Sequence, residues 1–467
     1  ALLPVSGEIL TDTPLSGPPR PAYGGGGPTM YLQKLEIENI RGFAGGAAKT
    51  AITLPEAGWC VFAGRNGSGK TTLLHAAAVG MVGDHHAPAL VGSFAGWIRS
   101  GGKNGTLKVY VAAGPRDTLS SGTNDALNGE LELKHDGPLV GETWSWEPPI
   151  DGAEKRDVLE RQGAREDSGI RRASWARDPN GWLVVGYGAH RRLGRDGDGN
   201  PAFSTISSRL ESLFSEESTL VDSVNWLKYL KFRALEKREG AAEQLEQVIE
   251  LLNDDLLPDG AQIVEVGSQG VFVEARGVKL ELGQLSDGYR GALALLVDLL
   301  RHIFSAYGTF DFERRDGRLV STASAVVLID EVEAHLHVSW QQKIGFWLTE
   351  RFPKVQFLVT THSPFICQAA HPEGLFLLPA PGEDRGVLPA DKATYNQVVN
   401  GSIDDAVLSK LFGLEHAKSH RTRALEKEWA SLRMRGLRGK LTQAELERKR
   451  ELEEALPFPF EGVAEGR

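Results

Sequence analysis

Apolar side chains recur at Leu32, Leu35, Ile37 and Ile40, an alternation that predicts a strand with one buried face just after Met30. Met30 is read as the natural start, and residues 1–29, rich in Pro and Gly, as a tail outside the fold. Residues 59–63 predict a short buried strand, followed by a Gly-rich turn and an apolar helix over about 70–81. Strand-like runs at 107–112, 130–134 and 182–187 are separated by Gly, Asp and Pro clusters and by a charged stretch near 154–172, which predicts a β-rich lobe with loops. Helical spacing takes over from 206 to 257, with Leu210, Leu213, Val221, Val224, Leu227 and Leu230 on recurring faces. The charged helix near 235–252 is too short and too polar for a long heptad arm. Two or three alternating strands over 262–282 lead to an apolar helix over 289–304. The continuous apolar runs 325–329 and 355–359 then suit a parallel sheet buried on both faces. The stretch 403–456 reads as charged helices, a solvated cap or a docking surface.

The expected class is therefore α/β. The expected organisation is a tail over 1–29, a first lobe over 30–205, a helical lobe over 206–260, a second lobe over 261–402 and a charged helical tail over 403–467.

Composition narrows this picture. A chain of 467 residues with 41% apolar and 24% charged residues can bury a full core, and no run is apolar for long enough to span a bilayer. The first 29 residues lack the basic and apolar regions of a signal peptide. Cys60 and Cys367 are the only cysteines, so no disulfide framework is indicated and a cytoplasmic setting is expected. A net charge of -10 argues against a generally basic surface and confines any DNA contact to a local patch.

Four segments carry chemistry. Gly64-Arg65-Asn66-Gly67-Ser68-Gly69-Lys70-Thr71 matches the phosphate-binding loop pattern, and Thr72 continues it into the helix. Small residues let backbone N–H groups curl around phosphates, Lys70 supplies a point charge, and Thr71 offers a hydroxyl to Mg²⁺. The apolar run 325–329 ends in Asp330 and Glu331, where Asp330 would serve the Mg²⁺ and Glu331 would act as general base; a helix N-cap pair is the plainer alternative. Leu285-Ser286-Asp287-Gly288 opens the next segment, and Thr360-Thr361-His362-Ser363-Pro364 follows the run 355–359. Taken alone, these two read as an ordinary capped helix and a structural histidine.

Other clusters fare less well. Asp84-His85-His86 lacks the companion carboxylates of a phosphoesterase, and His335 with His337 lacks a second ligand pair for a metal. The Asp196 loop has Pro201 where a calcium loop needs glycine. Tyr187-Gly188-Ala189-His190-Arg191-Arg192 is either a solvated turn or a phosphate contact.

Together the order of these segments resembles the ABC-type ATPases of the RecF, SMC and OLD-like branch, and Leu35-Glu36-Ile37-Glu38-Asn39-Ile40-Arg41-Gly42-Phe43 resembles the opening strand of its RecF- and OLD-like members. The resemblance implies an ABC head with a β-rich N-terminal lobe, a short helical lobe and a C-terminal helical tail. It implies that Ser286 and Gly288 form a signature motif reaching the ATP of a second copy, and that His362 contacts the γ-phosphate. The stretch from Glu333 to His337 takes the place of the interface D-loop. A Q-loop glutamine is not evident, since only Gln162 lies between the first helix and Tyr187. Within the branch the chain looks most like ATPases of bacterial antiphage systems, of the Septu kind. That implies a homodimer formed on ATP and a separate effector, such as a nuclease. A RecF-like DNA clamp for repair or recombination is the alternative.

Overall fold

The computed structural model describes residues 31–92, 94, 96–100, 105–112, 141–147, 158–162, 183–191, 205–215, 222–257, 260–414, 416–439 and 441–456. The strand expected at 130–134, the Asp196 loop and Arg192 lie outside the described residues.

A six-stranded sheet organises the head. Its strands β3 (Gly58–Ala63), β7 (Val184–Tyr187), β13 (Ala325–Ile329), β14 (Val355–Thr361), β15 (Leu375–Leu377) and β16 (Leu388–Pro389) run in the order β16-β15-β3-β14-β13-β7. All neighbours are parallel except β15 with β16. The apolar runs expected at 325–329 and 355–359 are adjacent and buried along their whole length, as a sheet covered on both faces requires. Alternation decides which face each side chain joins. Trp59, Val61 and Ala63 of β3 enter one core cluster, while Cys60 and Phe62 enter the other.

The helix α1 (Lys70–Val91) packs in the second cluster with β1 (Tyr31–Glu38) and β4 (Gly105–Ala112). It runs further than the sequence pattern implies, because two helices join across a non-helical Gly83. The main chain of Asp84-His85-His86 is thereby helical rather than a loop. Strands β2 (Thr50–Thr53), β1, β4, β5 (Gly141–Glu147) and β6 (Val158–Gln162) form an antiparallel sheet in the order β2-β1-β4-β5-β6. Gln356 of β14, fully buried, ties it to the central sheet: its amide exchanges hydrogen bonds of 2.9 Å with the N–H and carbonyl of Leu32 and donates to Pro55 at 2.7 Å. A buried amide of this kind needs such partners.

The other face of the sheet carries α3 (Asp222–Leu235), α4 (Ala241–Asn253), α5 (Asp287–Tyr307) and α6 (Val338–Arg351), while α2 (Ile206–Phe214) packs against α1 and β7 in the second cluster. A meander of β8 (Gln262–Gly267), β9 (Gly270–Ala275) and β10 (Val278–Glu281) precedes α5, and the hairpin β11 (Phe312–Arg315) and β12 (Arg318–Ser321) follows it. The longest described helix has 22 residues, so no long coiled-coil arm occurs among the described residues. None is long and apolar enough to cross a membrane.

After α7 (Pro364–Cys367), α8 (Lys392–Val399) and α9 (Ile403–Leu408), the charged stretch forms a helical hairpin of α10 (His420–Gly436) and α11 (Gln443–Ala455). Ser419 and Thr442 cap the two helices, and a small core of Leu432, Leu452 and Leu456 with Trp429 closes them.

Candidate functional site

Three parallel strands deliver their C-terminal ends to one place: β3 into the phosphate-binding loop, β13 into the paired carboxylates, and β14 into the histidine segment. This end of an open parallel sheet is where ligands bind. In the loop Gly67 and Gly69 adopt φ of 77° and 92°, a region that side chains disfavour. Gly64 also has no room for a side chain, since a Cβ there would stand 2.6 Å from the Ser68 hydroxyl oxygen. Beneath the loop, Phe43 sits 3.1 Å from where a Cβ on Gly69 would be. The sequence pattern gave no sign of this prop beyond a phenylalanine after the first strand.

Lys70, 6% exposed, donates to the carbonyls of Gly64 at 3.0 Å and Arg65 at 3.1 Å. Burial lowers its ammonium from the ordinary value while Glu331, Asp330 and Glu333 pull the other way. Ser68 keeps a buried hydroxyl with no protein partner. A loop that leaves a buried hydroxyl unpaired and turns its lysine onto its own carbonyls fits an anion with several oxygens.

Asp330 is the hub of the carboxylate end. It accepts from the Thr71 hydroxyl at 2.7 Å and, on its other oxygen, from Thr360, while its N–H donates to the Tyr187 carbonyl at 2.8 Å. A threonine hydroxyl and a carboxylate side by side are the protein ligands that Mg²⁺ takes when substrate phosphates and water supply the rest, so the residues fit that ion. Among the described residues no group of three His, Cys, Asp or Glu is arranged to hold a metal alone. The two histidines of the 335–337 stretch thus gain no further ligand, and the His337 ring caps α6 by accepting from the Ser339 N–H.

Glu331 stands in the left-handed region at φ 44°, its N–H donating to Thr360 Oγ1 at 2.8 Å. Glu333, whose role the sequence did not disclose, accepts from the Thr361 hydroxyl at 2.7 Å and from the His362 N–H. It therefore sets the segment that presents the exposed His362 ring. That ring stays below its ordinary pKa through partial burial and the nearby Lys70. Gln341 of α6 joins the same segment to the next loop, accepting from Ser363 Oγ at 2.7 Å and donating to the Leu336 carbonyl at 2.9 Å.

Lys70, Thr71, Asp330, Glu331 and His362 thus share one site. Ser286 and Gly288 stand apart from it. Ser286 precedes α5, exposed, and its side chain makes no capping bond, unlike an ordinary N-cap serine. Gly288 rests on the loop after β13: a Cβ there would lie 2.5 Å from the His335 carbonyl oxygen. Among the described residues no hydrogen bond joins either to the phosphate-binding loop.

Arg191 corrects the expectation of a solvated turn or a phosphate contact. It is buried and donates to main-chain carbonyls of the loop after β13, and burial pushes its guanidinium down to about 10. A buried arginine and an exposed one look alike in a basic triplet, which is why the sequence missed it.

Residues 132–368 match the family model described as "AAA domain, putative AbiEii toxin, Type IV TA system". That span is about half of the 467 residues and begins after the phosphate-binding loop. The Septu protein PtuA of Bacillus mycoides (strain KBAB4) is 25% identical over 392 residues, 83% of this chain and 45% of that protein. The Retron Ec83 probable ATPase of Escherichia coli is 28% identical over 214 residues, 46% of this chain and 36% of that protein. The chain spans less than half the length of these relatives. A solved SMC head bound to the C-winged helix domain of ScpA shares 15% identity, with a TM-score of 0.47 over 78% of this chain and 99% of that one.

Proposed function

The chain belongs to this AAA family, and from that premise we propose that it is an ABC-type ATPase that binds ATP and Mg²⁺ between two copies of itself and hydrolyses the γ-phosphate bond. The observation that carries the reading is the convergence of Lys70, Thr71, Asp330, Glu331 and His362 at the ends of three parallel strands. In this reading Gly64, Asn66, Gly67, Ser68, Gly69 and Thr72 line the phosphate cradle, and Lys70 turns from its loop carbonyls to the β and γ oxygens. Thr71 and Asp330 would hold Mg²⁺, which would supply charge neutralisation on the phosphates. Glu331 takes a proton from the attacking water; the water oxygen bonds to the γ-phosphorus and the bond to the β-γ bridging oxygen breaks, leaving ADP. The His362 ring contacts the γ-phosphate. Ser286 and Gly288 serve the ATP held by the other copy, and the uncapped Ser286 hydroxyl supports that assignment.

The sequence relatives support a reading of the biological load. The chain acts as the sensor or regulatory ATPase of a bacterial antiphage system in the cytoplasm, beside a separate effector such as a nuclease. The α10–α11 hairpin, with its own core and a polar surface, is the docking surface for that effector. The five segments 1–29, 30–205, 206–260, 261–402 and 403–467 are kept as the proposed organisation.

One observation favours the DNA-clamp reading. Residues 418–440 carry eight Lys or Arg against two Glu in a chain of net charge -10, a basic run of the kind that suits a phosphate backbone. The experiment that separates the two incubates the purified chain with ATP, Mg²⁺ and plasmid or linear DNA, alone and with the product of the neighbouring gene. ATP hydrolysis without DNA cleavage by the chain alone, and cleavage or toxicity only with the second protein, is the expected result. Cleavage by the chain alone that survives Glu331→Gln and is lost in His86→Ala would overturn the separate effector. DNA bound tightly by the chain, with no effect of any neighbour, would favour the clamp.

A further inference from the structure

Arg191 follows β7 after a short connection and is 7% exposed. Burying a guanidinium is costly unless its N–H groups find acceptors. The acceptors here are carbonyls of one loop: Asp330 at 3.4 Å, Glu331 at 2.9 Å, Val332 at 3.2 Å and Ala334 at 3.4 Å. A planar fork of five donors can serve several carbonyls at once, whereas an ammonium has three donors at a single point.

That loop needs a tether. Glu331 and His335 sit at φ 44° and 64°, the left-handed region in which residues with side chains persist only when their surroundings hold them. Packing around the loop leaves a small cavity beside it, lined by Arg191, Ala292, Leu295, Val332, Leu336 and Leu348. A second contact leads elsewhere. The Arg191 carbonyl oxygen faces α5 at Gly291, where an added Cβ would stand 3.6 Å from it, one turn beyond Gly288. One residue therefore bonds the loop that carries Glu331 and lies beside the helix that begins after Ser286.

We propose that Arg191 is a positioning residue that fixes the Glu331 carboxylate for water activation and ties its alignment to the seating of the helix that begins after Ser286. It touches no substrate and acts through the loop carbonyls. Seating of α5 against a second copy's nucleotide would then reach Glu331 of the same chain through Arg191, beside the direct approach of Gly288 to the loop. The inference rests on the ATPase reading above.

The test uses the full chain with Arg191→Lys and Arg191→Met, measuring ATP affinity by equilibrium binding, kcat and KM by phosphate release, and thermal melting. Because misplacing a reacting group by about 1 Å costs on the order of 100-fold, kcat should fall about 10- to 100-fold in Arg191→Met and less in Arg191→Lys, while ATP affinity stays within about threefold. A merely structural plug would lower affinity, kcat and melting temperature together, and that pattern in the Lys variant overturns the proposal even where the Met variant does not fold. Unchanged kcat in the Met variant overturns it as well. Lys70→Ala separates the two levels: undiminished turnover there contradicts the ATPase reading, whereas an inactive Lys70→Ala beside a fully active Arg191→Met contradicts only the role of Arg191.

Discussion

Gly288 lies so close to His335 that a Cβ added to it would meet the His335 carbonyl oxygen at 2.5 Å. The start of α5 and the loop after β13 therefore rest on each other inside one chain, whatever either does across a dimer. Gly288→Ala should follow this contact and not helix propensity, which would favour alanine by about 0.8–1 kcal/mol. The expected outcome is folded protein that binds ATP normally and hydrolyses it at least about tenfold more slowly, because the loop must move and Glu331 with it. Phosphate release and ATP binding measured side by side check this; a fully active alanine variant contradicts it.

The composite arrangement predicts complementation. Ser286→Arg blocks the helix start from the other copy's γ-phosphate, and Lys70→Ala disables the phosphate loop, so each homodimer should be inactive. In a mixed dimer both defects fall in one shared site and the second site is intact. Turnover should reappear on mixing. An inactive mixture, with heterodimers shown to form, would count against sharing of the site.

Acid should destabilise the fold through buried imidazoles. Burial holds His75 and His302 below their ordinary value, so the unfolded chain takes up protons near pH 6.5 that the folded chain refuses. A base with a lowered folded pKa contributes stability that is complete above its unfolded value and lost as pH falls below it. Asp298 acts in a lower window: burial works to raise its carboxyl, the His302 and Arg301 contacts outweigh it, and its contribution is lost only below its unfolded value of 3.8. Urea unfolding from about pH 7.5 to about pH 5.5 should show stability falling by up to about 1.4 kcal/mol per pH unit per histidine, with a shallower slope in His75→Asn. A flat profile would contradict the assignment.

Much of this site was legible in the sequence, and for a physical reason. The phosphate-binding loop, the Asp330-Glu331 pair and the His362 segment each follow a run of apolar residues buried on both sheet faces; periodicity alone does not separate such a run from a helix, and its shortness decides for a strand. Parallel pairing then brings their ends together without any pattern having to specify the meeting. What stayed hidden depends on contacts far apart in the chain. Arg191 reaches a loop 139 to 143 positions away, and Gln356 bonds a strand 324 positions earlier. Glu333 was read only as part of an interface loop and Thr360 only as part of the histidine segment, because a carboxylate that orients a histidine segment reads like any acidic loop residue. The extension of α1 past Met81 was missed because Gly83 interrupts the helical pattern without ending the helix.

The central claim is that Lys70 and Glu331 divide the work of holding and hydrolysing ATP at one site, and the most direct test compares Lys70→Ala with Glu331→Gln. Equilibrium ATP binding and steady-state phosphate release are measured on both. The lysine variant loses a ground-state charge contact and should bind no ATP. The glutamine variant keeps the cradle but has no base, so it should bind ATP with near-native affinity and release phosphate at least about 100-fold more slowly. Native turnover in Glu331→Gln, or native ATP affinity in Lys70→Ala, would contradict the account.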